Sequence, residues 1–167
     1  MKEIRVSKHF LTFVLSALIA LPVLAKDDGF NGKWVIDKNA STANFEIPGQ
    51  LTQQIKTKGS DLMILTTWRE PMSGIAPLGL LGVMTTNLKL NLNGRDATNN
   101  IGPFKQVSKT SHNANQMVTD YTAVVNNDQV TGHWTRTLSG DGRQMTLEID
   151  QKSGSQNNQA KLVFHRK

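Results

Sequence analysis

Short runs of alternating apolar and polar residues fill most of the chain after residue 30, and this pattern limits the possible folds most. Leu88, Leu90 and Leu92, for example, alternate with asparagine and lysine. That two-residue period is typical of a β-strand with one buried face. Comparable runs cover residues 33–37, 51–56, 62–68, 104–111, 117–125, 130–138, 144–151 and 160–166. The pattern predicts eight to ten short strands and no long helix, which is an all-β fold.

Polar and glycine-containing segments between the runs predict tight turns. Residues 58–61, Lys-Gly-Ser-Asp, separate two alternating runs and predict a hairpin between them. Asn93-Gly94 follows the run that ends at Leu92, and this dipeptide favours a two-residue turn in which both positions have positive φ. A second hairpin is therefore predicted at this turn.

Such a succession of strands favours one antiparallel meander closed into a barrel. An open meander of this size would expose two strand edges, and closure removes them. A sandwich is the alternative architecture. The chain has 167 residues and no cysteine, so we expect a single domain without disulfide bonds, thiolate metal ligands or a cysteine nucleophile.

The N-terminus has the composition of a secretory signal peptide. Lys2, Arg5 and Lys8 precede an apolar stretch from Phe10 to Leu24, and small residues stand near Ala25. The apolar stretch is shorter than the roughly 20 residues that span a bilayer. We therefore predict a signal peptide at residues 1–25, one domain at residues 26–167 and a periplasmic or secreted location, with no membrane segment after the leader is removed.

Three short motifs carry a family resemblance. Residues 31–34 contain Gly-x-Trp, residues 119–121 read Thr-Asp-Tyr, and residues 138–143 read Leu-Ser-Gly-Asp-Gly-Arg. The first two motifs are similar to those of lipocalins. The first and third motifs, together with a Gly/Met-rich segment near the middle, resemble small exported bacterial lipocalin-like (calycin-type) β-barrel domains over about residues 30–167. The resemblance implies a lipocalin-like barrel of about eight to ten strands, in which Trp34 plugs one end and Arg136 or Arg166 covers its ring. It leaves the activity open.

The segment from Glu70 to Met84 is apolar but contains two prolines and three glycines, so it suits neither a regular strand nor a stable helix. We consider three roles for it: a lid at the barrel mouth, a docking surface for a partner or membrane, or a connector that fills the core. Together with aromatic residues in the strands, it supplies the candidate ligand contacts. These candidates are Trp68, Leu78, Leu80, Leu81, Tyr121 and Trp134.

The sequence lacks the signatures of the common enzyme classes. It has no Gly-x-Ser-x-Gly elbow, no His-Glu-x-x-His motif and no phosphate-binding glycine loop. His112, His133 and His165 are not spaced as metal ligands, and the basic residues are too scattered for a nucleic-acid surface. We therefore expect a monomeric, non-enzymatic protein without cofactor, metal or nucleic acid. It would carry a small hydrophobic or amphipathic ligand or, alternatively, be an envelope-associated interaction module with a filled barrel.

Overall fold

The chain folds into ten β-strands and, within the described residues, no helix. The computed structural model describes residues 29–68, 85–125 and 127–167. The strands are β1 (Gly32–Ala43), β2 (Leu51–Lys58), β3 (Asp61–Trp68), β4 (Thr85–Asn91), β5 (Asp96–Ile101), β6 (Phe104–His112), β7 (Gln116–Val125), β8 (Asp128–Leu138), β9 (Gln144–Ser153) and β10 (Gln156–Arg166). The predicted all-β fold of eight to ten strands is confirmed. The predicted leader, residues 1–25, and the segment 70–84 lie outside the described residues.

The strands form one antiparallel sheet that curls into a nearly closed barrel. Their order is β4-β3-β2-β1-β10-β9-β8-β7-β6-β5, so the first and last strands of the chain pair with each other. In that ladder Trp34 lies opposite Arg166 and Ile36 opposite Phe164. The two chain ends are thus joined in the middle of the sheet, and β4 and β5 are its two edges.

The first predicted hairpin is confirmed and the second is wrong. Strands β2 and β3 pair along their length, with Lys58 opposite Asp61 and Gly59 at a φ of 62°. Strands β4 and β5 have no backbone ladder between them. Gly94 takes the expected positive φ of 71°, but Asn93 does not, so the two-residue hairpin turn is not formed.

A side chain closes the gap between β4 and β5. The carboxamide of Asn99 accepts a hydrogen bond from Lys89 N at 2.7 Å and donates one to Lys89 O at 2.9 Å. Beyond the end of β4, Leu92 N donates to Ser60 O of the neighbouring β2–β3 turn at 2.8 Å. Leu92 is therefore held to the β2–β3 turn, and β5 is attached to β4 through the Asn99 amide.

Trp34 plugs one end of the barrel, as predicted. Its side chain is fully buried, and Nε1 donates to Phe30 O at 2.8 Å. The guanidinium carbon of Arg166 lies 4.6 Å from the centroid of the Trp34 ring. Arg166 also donates to Asn31 O at 2.9 Å and to Gly142 O at 3.0 Å. Arg166, rather than Arg136, is therefore the arginine that covers the plug.

Strand β1 leaves its partner β10 for a short excursion between Asp37 and Thr42. Asp37 Oδ1 accepts hydrogen bonds from the backbone N of Asn39 and of Ala40, both at 3.1 Å. Ser41 Oγ accepts from Val163 N at 2.8 Å, in place of a backbone carbonyl of β1. The backbone hydrogen bond from Ala40 and the side-chain hydrogen bond from His165 hold the pKa of Asp37 below its ordinary value of 3.8.

Candidate ligand site in the barrel interior

Three of the predicted contact residues line the barrel interior. Trp68, Tyr121 and Trp134 are each buried at inward positions, with 2%, 3% and 3% of their surface exposed. The rings of Tyr121 and Trp134 meet at a centroid distance of 4.6 Å and a tilt of 54°. Trp68 ends β3 and lies opposite Leu51. The other three candidates, Leu78, Leu80 and Leu81, lie outside the described residues.

Inward side chains of β5 to β10 stack in rows of residues that face one another across neighbouring strands, and four of these rows cross the middle of the interior. Along β8, the rows pass through Val130, Gly132, Trp134 and Arg136 in turn. We name them the glutamine row (Asn99, Gln106, Ala123, Val130), the tyrosine row (Ser108, Tyr121, Gly132, Gln151, Asn158), the tryptophan row (Thr110, Thr119, Trp134, Ile149, Ala160) and the arginine row (Met117, Arg136, Leu147, Leu162). Successive rows are two residues apart along a strand, which is about 7 Å.

Gly132 is the position in the tyrosine row that makes room for a large ring. A β-carbon built on Gly132 would come within 2.2 Å of Tyr121 Cζ, so the phenol ring lies directly over the glycine. In this position Tyr121 Oη donates to Gln151 Oε1 at 2.5 Å. Burial raises the pKa of Tyr121, and the phenol stays protonated at all ordinary pH values.

Arg136 is the least expected residue of the interior. Its side chain is 1% exposed, and neither Nε nor Nη1 has a hydrogen-bond partner among the described residues. The guanidinium carbon lies 5.6 Å from the centroid of the Trp134 ring. Burial lowers the pKa of Arg136 to about 10, so the group remains a cation at neutral pH.

The sequence held a signal for this position. Arg136 lies two residues from both Trp134 and Leu138, and in a strand with a period of two these three share one face. The family resemblance offered Arg136 only as a possible cover for Trp34. A charged residue at a predicted inward position is the pattern that would have marked it as a functional candidate.

The interior also holds unpartnered neutral amides. Among the described residues, both polar atoms of the Gln106 side chain, Oε1 of Gln53 and Nδ2 of Asn158 are buried without a hydrogen-bond partner. The buried polar side chains of the described residues include no aspartate or glutamate. The arginine row therefore presents a positive charge that none of the described interior groups neutralises.

Searches of known structures find the same architecture. A structure described as "REP1-NXSQ fatty acid transporter" matches 82% of this chain and 95% of its own, with 14% identity and a TM-score of 0.53. The zebrafish ileal bile acid-binding protein in complex with cholic acid matches 83% of this chain and 99% of its own, with 13% identity and a TM-score of 0.51. A secretory abundant heat soluble protein from Ramazzottius varieornatus matches 83% and 96%, with 15% identity and a TM-score of 0.51. The fold is that of a lipocalin-like barrel.

At these low identities the likeness shows the fold alone. No protein-family model matches the chain, and no curated protein sequence matches it significantly. Two of the three matched barrels are named for fatty acids or bile acids. Among the described residues there is no helix of the length and apolar character needed to cross a membrane.

Two carboxylates of the strands, Asp120 in β7 and Glu148 in β9, lie on the outer face of the lipocalin-like barrel. Asp120 and Glu148 are both exposed. Asp120 Oδ1 lies 2.7 Å from His133 Nδ1, and this pair borders an open surface cleft of about 540 Å³ over β6 to β9. The described residues contain no group of three or more histidine or acidic side chains that could hold a metal. The interior is the better candidate site because several of its buried polar atoms, on Arg136 and Gln106 among others, lack partners among the described residues.

Proposed function

We propose that the protein is an exported carrier that binds an amphipathic molecule inside the barrel, with the anionic headgroup of that molecule paired to Arg136. The observation that carries this proposal is the burial of a guanidinium whose Nε and Nη1 have no hydrogen-bond partner among the described residues. A buried charge without a partner is strongly destabilising, and it is relieved by an opposite charge with good hydrogen-bond geometry. A carboxylate or another planar oxyanion matches the guanidinium in charge and in shape.

The surroundings of Arg136 suit the apolar body of such a molecule. Met117, Leu147 and Leu162 share its row, and the next row along the strands contains Trp134 and Ile149 beside two threonines. An apolar wall with one cation is the usual composition of a site for an amphipathic ligand. The names of the fatty acid transporter and the bile acid-binding protein with similar folds support the same ligand class.

The remaining parts of the proposal come from the sequence. Export follows from the composition of residues 1–25, and a monomer is expected. Ligand contacts at Trp68, Tyr121, Trp134, Leu78, Leu80 and Leu81 stay predictions. The leucine-containing segment 70–84 follows β3 in the sequence, and a segment of this composition would suit the mouth of a carrier.

Binding of hexadecanoic acid, compared with hexadecanol, tests the proposal. The two molecules have the same apolar chain, and only the first has an anionic headgroup at neutral pH. We expect isothermal titration calorimetry to show tighter binding of the acid, by about tenfold or more, because a hydrogen bond to a charged group contributes about 1.5–3 kcal/mol. In an Arg136→Met variant, the acid should lose this advantage.

The variant also separates a binding role from a structural one. Replacing a buried, unpartnered cation by an apolar side chain of similar length should leave the free energy of unfolding of the ligand-free protein unchanged or raise it. Arg143→Met, in the exposed turn after β8, is the matched control and should bind both ligands like the unmodified protein. If neither molecule binds, the carrier is rejected in favour of the interaction module with a filled barrel. Equal binding of acid and alcohol would reject the role of Arg136.

A further inference from the structure

Gln106 is a second unpartnered polar group in the interior. Its side chain is 1% exposed, and both Oε1 and Nε2 lack a hydrogen-bond partner among the described residues. Its neighbour in the glutamine row, Asn99, directs its amide at the backbone N and O of Lys89 instead. A buried amide with two unmet hydrogen bonds is unfavourable, so this position is suited to a polar group that enters from outside the protein.

The position of Gln106 is far from Arg136. The glutamine row crosses β8 at Val130, six residues before Arg136, and six residues of a strand measure about 20 Å. The tyrosine and tryptophan rows lie between them. Asn158, whose Nδ2 is also unpartnered, belongs to the tyrosine row and is therefore on the Gln106 side of the interior. The interior thus has a cationic position and, about 20 Å along the strands, a neutral polar one.

The chemistry of the second position differs from that of the first. A carboxamide offers one acceptor and one donor group, and a hydroxyl can pair with both at once. None of the described buried residues other than Arg136 carries a charge. A second anion near Gln106 would lose its hydration without gaining a counterion, which is unfavourable. A hydroxyl is neutral and needs only hydrogen-bond partners.

We propose that the ligand of this barrel is polar at both ends: an anionic headgroup at Arg136 and a hydroxyl at Gln106, separated by an extended apolar body. This inference rests on the proposed function and adds the specificity of the site. Gln106 is the residue that selects the hydroxylated ligand. Its role is recognition of the far end of the molecule, and the headgroup contact does not depend on it.

A pair of ligands that differ by one hydroxyl tests the inference. Hexadecanoic acid and ω-hydroxyhexadecanoic acid share the headgroup and the chain, and their affinities are measured by calorimetry. We expect the unmodified protein to bind the ω-hydroxy acid about tenfold more tightly, which corresponds to about 1.4 kcal/mol. In Gln106→Leu this preference should vanish or reverse, while hexadecanoic acid binds at least as well as before, because the leucine suits an apolar chain end.

Two further variants make the result decisive. Gln129→Leu introduces the same change on the exposed face of β8 and should keep the preference. Gln106→Met is a flexible alternative should the leucine prevent folding, which the melting temperature would show. Equal affinity of the two acids for the unmodified protein, or a preference that survives both Gln106 variants, would overturn the inference. The absence of binding of either acid would instead reject the proposed function.

Discussion

The side-chain amide of Asn99 takes the place of a backbone partner for Lys89. Its oxygen accepts from Lys89 N and its nitrogen donates to Lys89 O, at 2.7 and 2.9 Å. The amide group of asparagine has the same donor and acceptor groups as a peptide unit, so one side chain imitates one rung of a β-ladder. This contact ties the two edges of the sheet together.

Replacing Asn99 by alanine should therefore weaken the seam between β4 and β5. Two backbone groups of Lys89 would lose their partner, and we expect the free energy of unfolding to fall by about 2 kcal/mol. Urea denaturation measures the loss, and hydrogen exchange of the Lys89 amide should accelerate more than that of its neighbours. Asn100→Ala, at the adjacent exposed position, should change neither quantity. Equal losses of unfolding free energy in the two variants would contradict this role of the Asn99 side chain.

The plug offers a second prediction. Trp34→Ala should lower the free energy of unfolding by about 3 kcal/mol or more, because it removes a fully buried indole. Arg166→Met should cost about 1 kcal/mol through the lost cation–π contact and carbonyl hydrogen bonds. Lys167→Met, at the next residue, is the control for a lost surface charge. A Trp34 variant as stable as the unmodified protein would show that the indole does not plug the barrel.

Gly132 and Tyr121 should behave as a coupled pair. Gly132→Ala places a methyl group where the phenol ring lies, and overpacking of this kind costs about 1–3 kcal/mol. In a background that carries Tyr121→Ala, the same change should cost little, which a double-mutant cycle measures as a coupling energy. Gly140→Ala is the matched control, because apart from its chain neighbours no atom of the described residues lies within 4 Å of the place that the new methyl group would take. Additive effects of the Gly132 and Tyr121 changes would contradict the packing described.

Asp37 should give the barrel a measurable sensitivity to acid. Its folded-state pKa lies below the ordinary value of 3.8, so its stabilising contribution is complete above that value and is lost as the pH falls through the folded-state pKa. An Asp37→Asn variant keeps an acceptor for the amides of Asn39 and Ala40 but cannot be protonated in this range. Its unfolding free energy should fall less steeply with pH below about 4 than that of the unmodified protein. Parallel pH profiles would argue against the contribution of Asp37.

Export makes a separate prediction about the N-terminus. Mass spectrometry or N-terminal sequencing of the protein from the cell exterior or the periplasm should find a chain that begins near Lys26. A Leu18→Arg variant interrupts the apolar stretch and should accumulate inside the cell with residues 1–25 attached. An intact leader on the exported form would contradict the predicted cleavage.

Most of the fold could be predicted because a strand period of two is visible in the sequence itself. The predicted runs that contain Trp68, Tyr121 and Trp134 are strands and these residues are buried, whereas the buried Trp34 was implied by the family resemblance. Local turn chemistry was sufficient to predict the hairpin at residues 58–61, where the two flanking strands pair. At Asn93-Gly94 it was not, because the position of β5 depends on the closure of the whole sheet rather than on the turn.

The candidate site was less predictable because it depends on contacts between distant segments. Whether Arg136 or Arg166 covered Trp34 could not be decided without the pairing of β1 with β10. The space that Gly132 leaves for Tyr121 requires the register of β7 against β8. Whether polar atoms of Arg136 and Gln106 find partners among the described residues depends on the assembled interior, which a single strand pattern does not contain.

The pairing of β1 with β10 has a consequence for the order in which the molecule assembles. Residues 34–37 find their partners at residues 163–166, so this ladder closes a loop that is nearly as long as the domain. Contacts between such distant residues form slowly, because the entropy of loop closure is lost before the contact stabilises anything. Until the last strand has been synthesised and has docked, β1 and β9 both remain open edges. A chain of this topology is thus compatible with transport across a membrane in an unfolded state, since the two halves of its sheet join only when β10 is available.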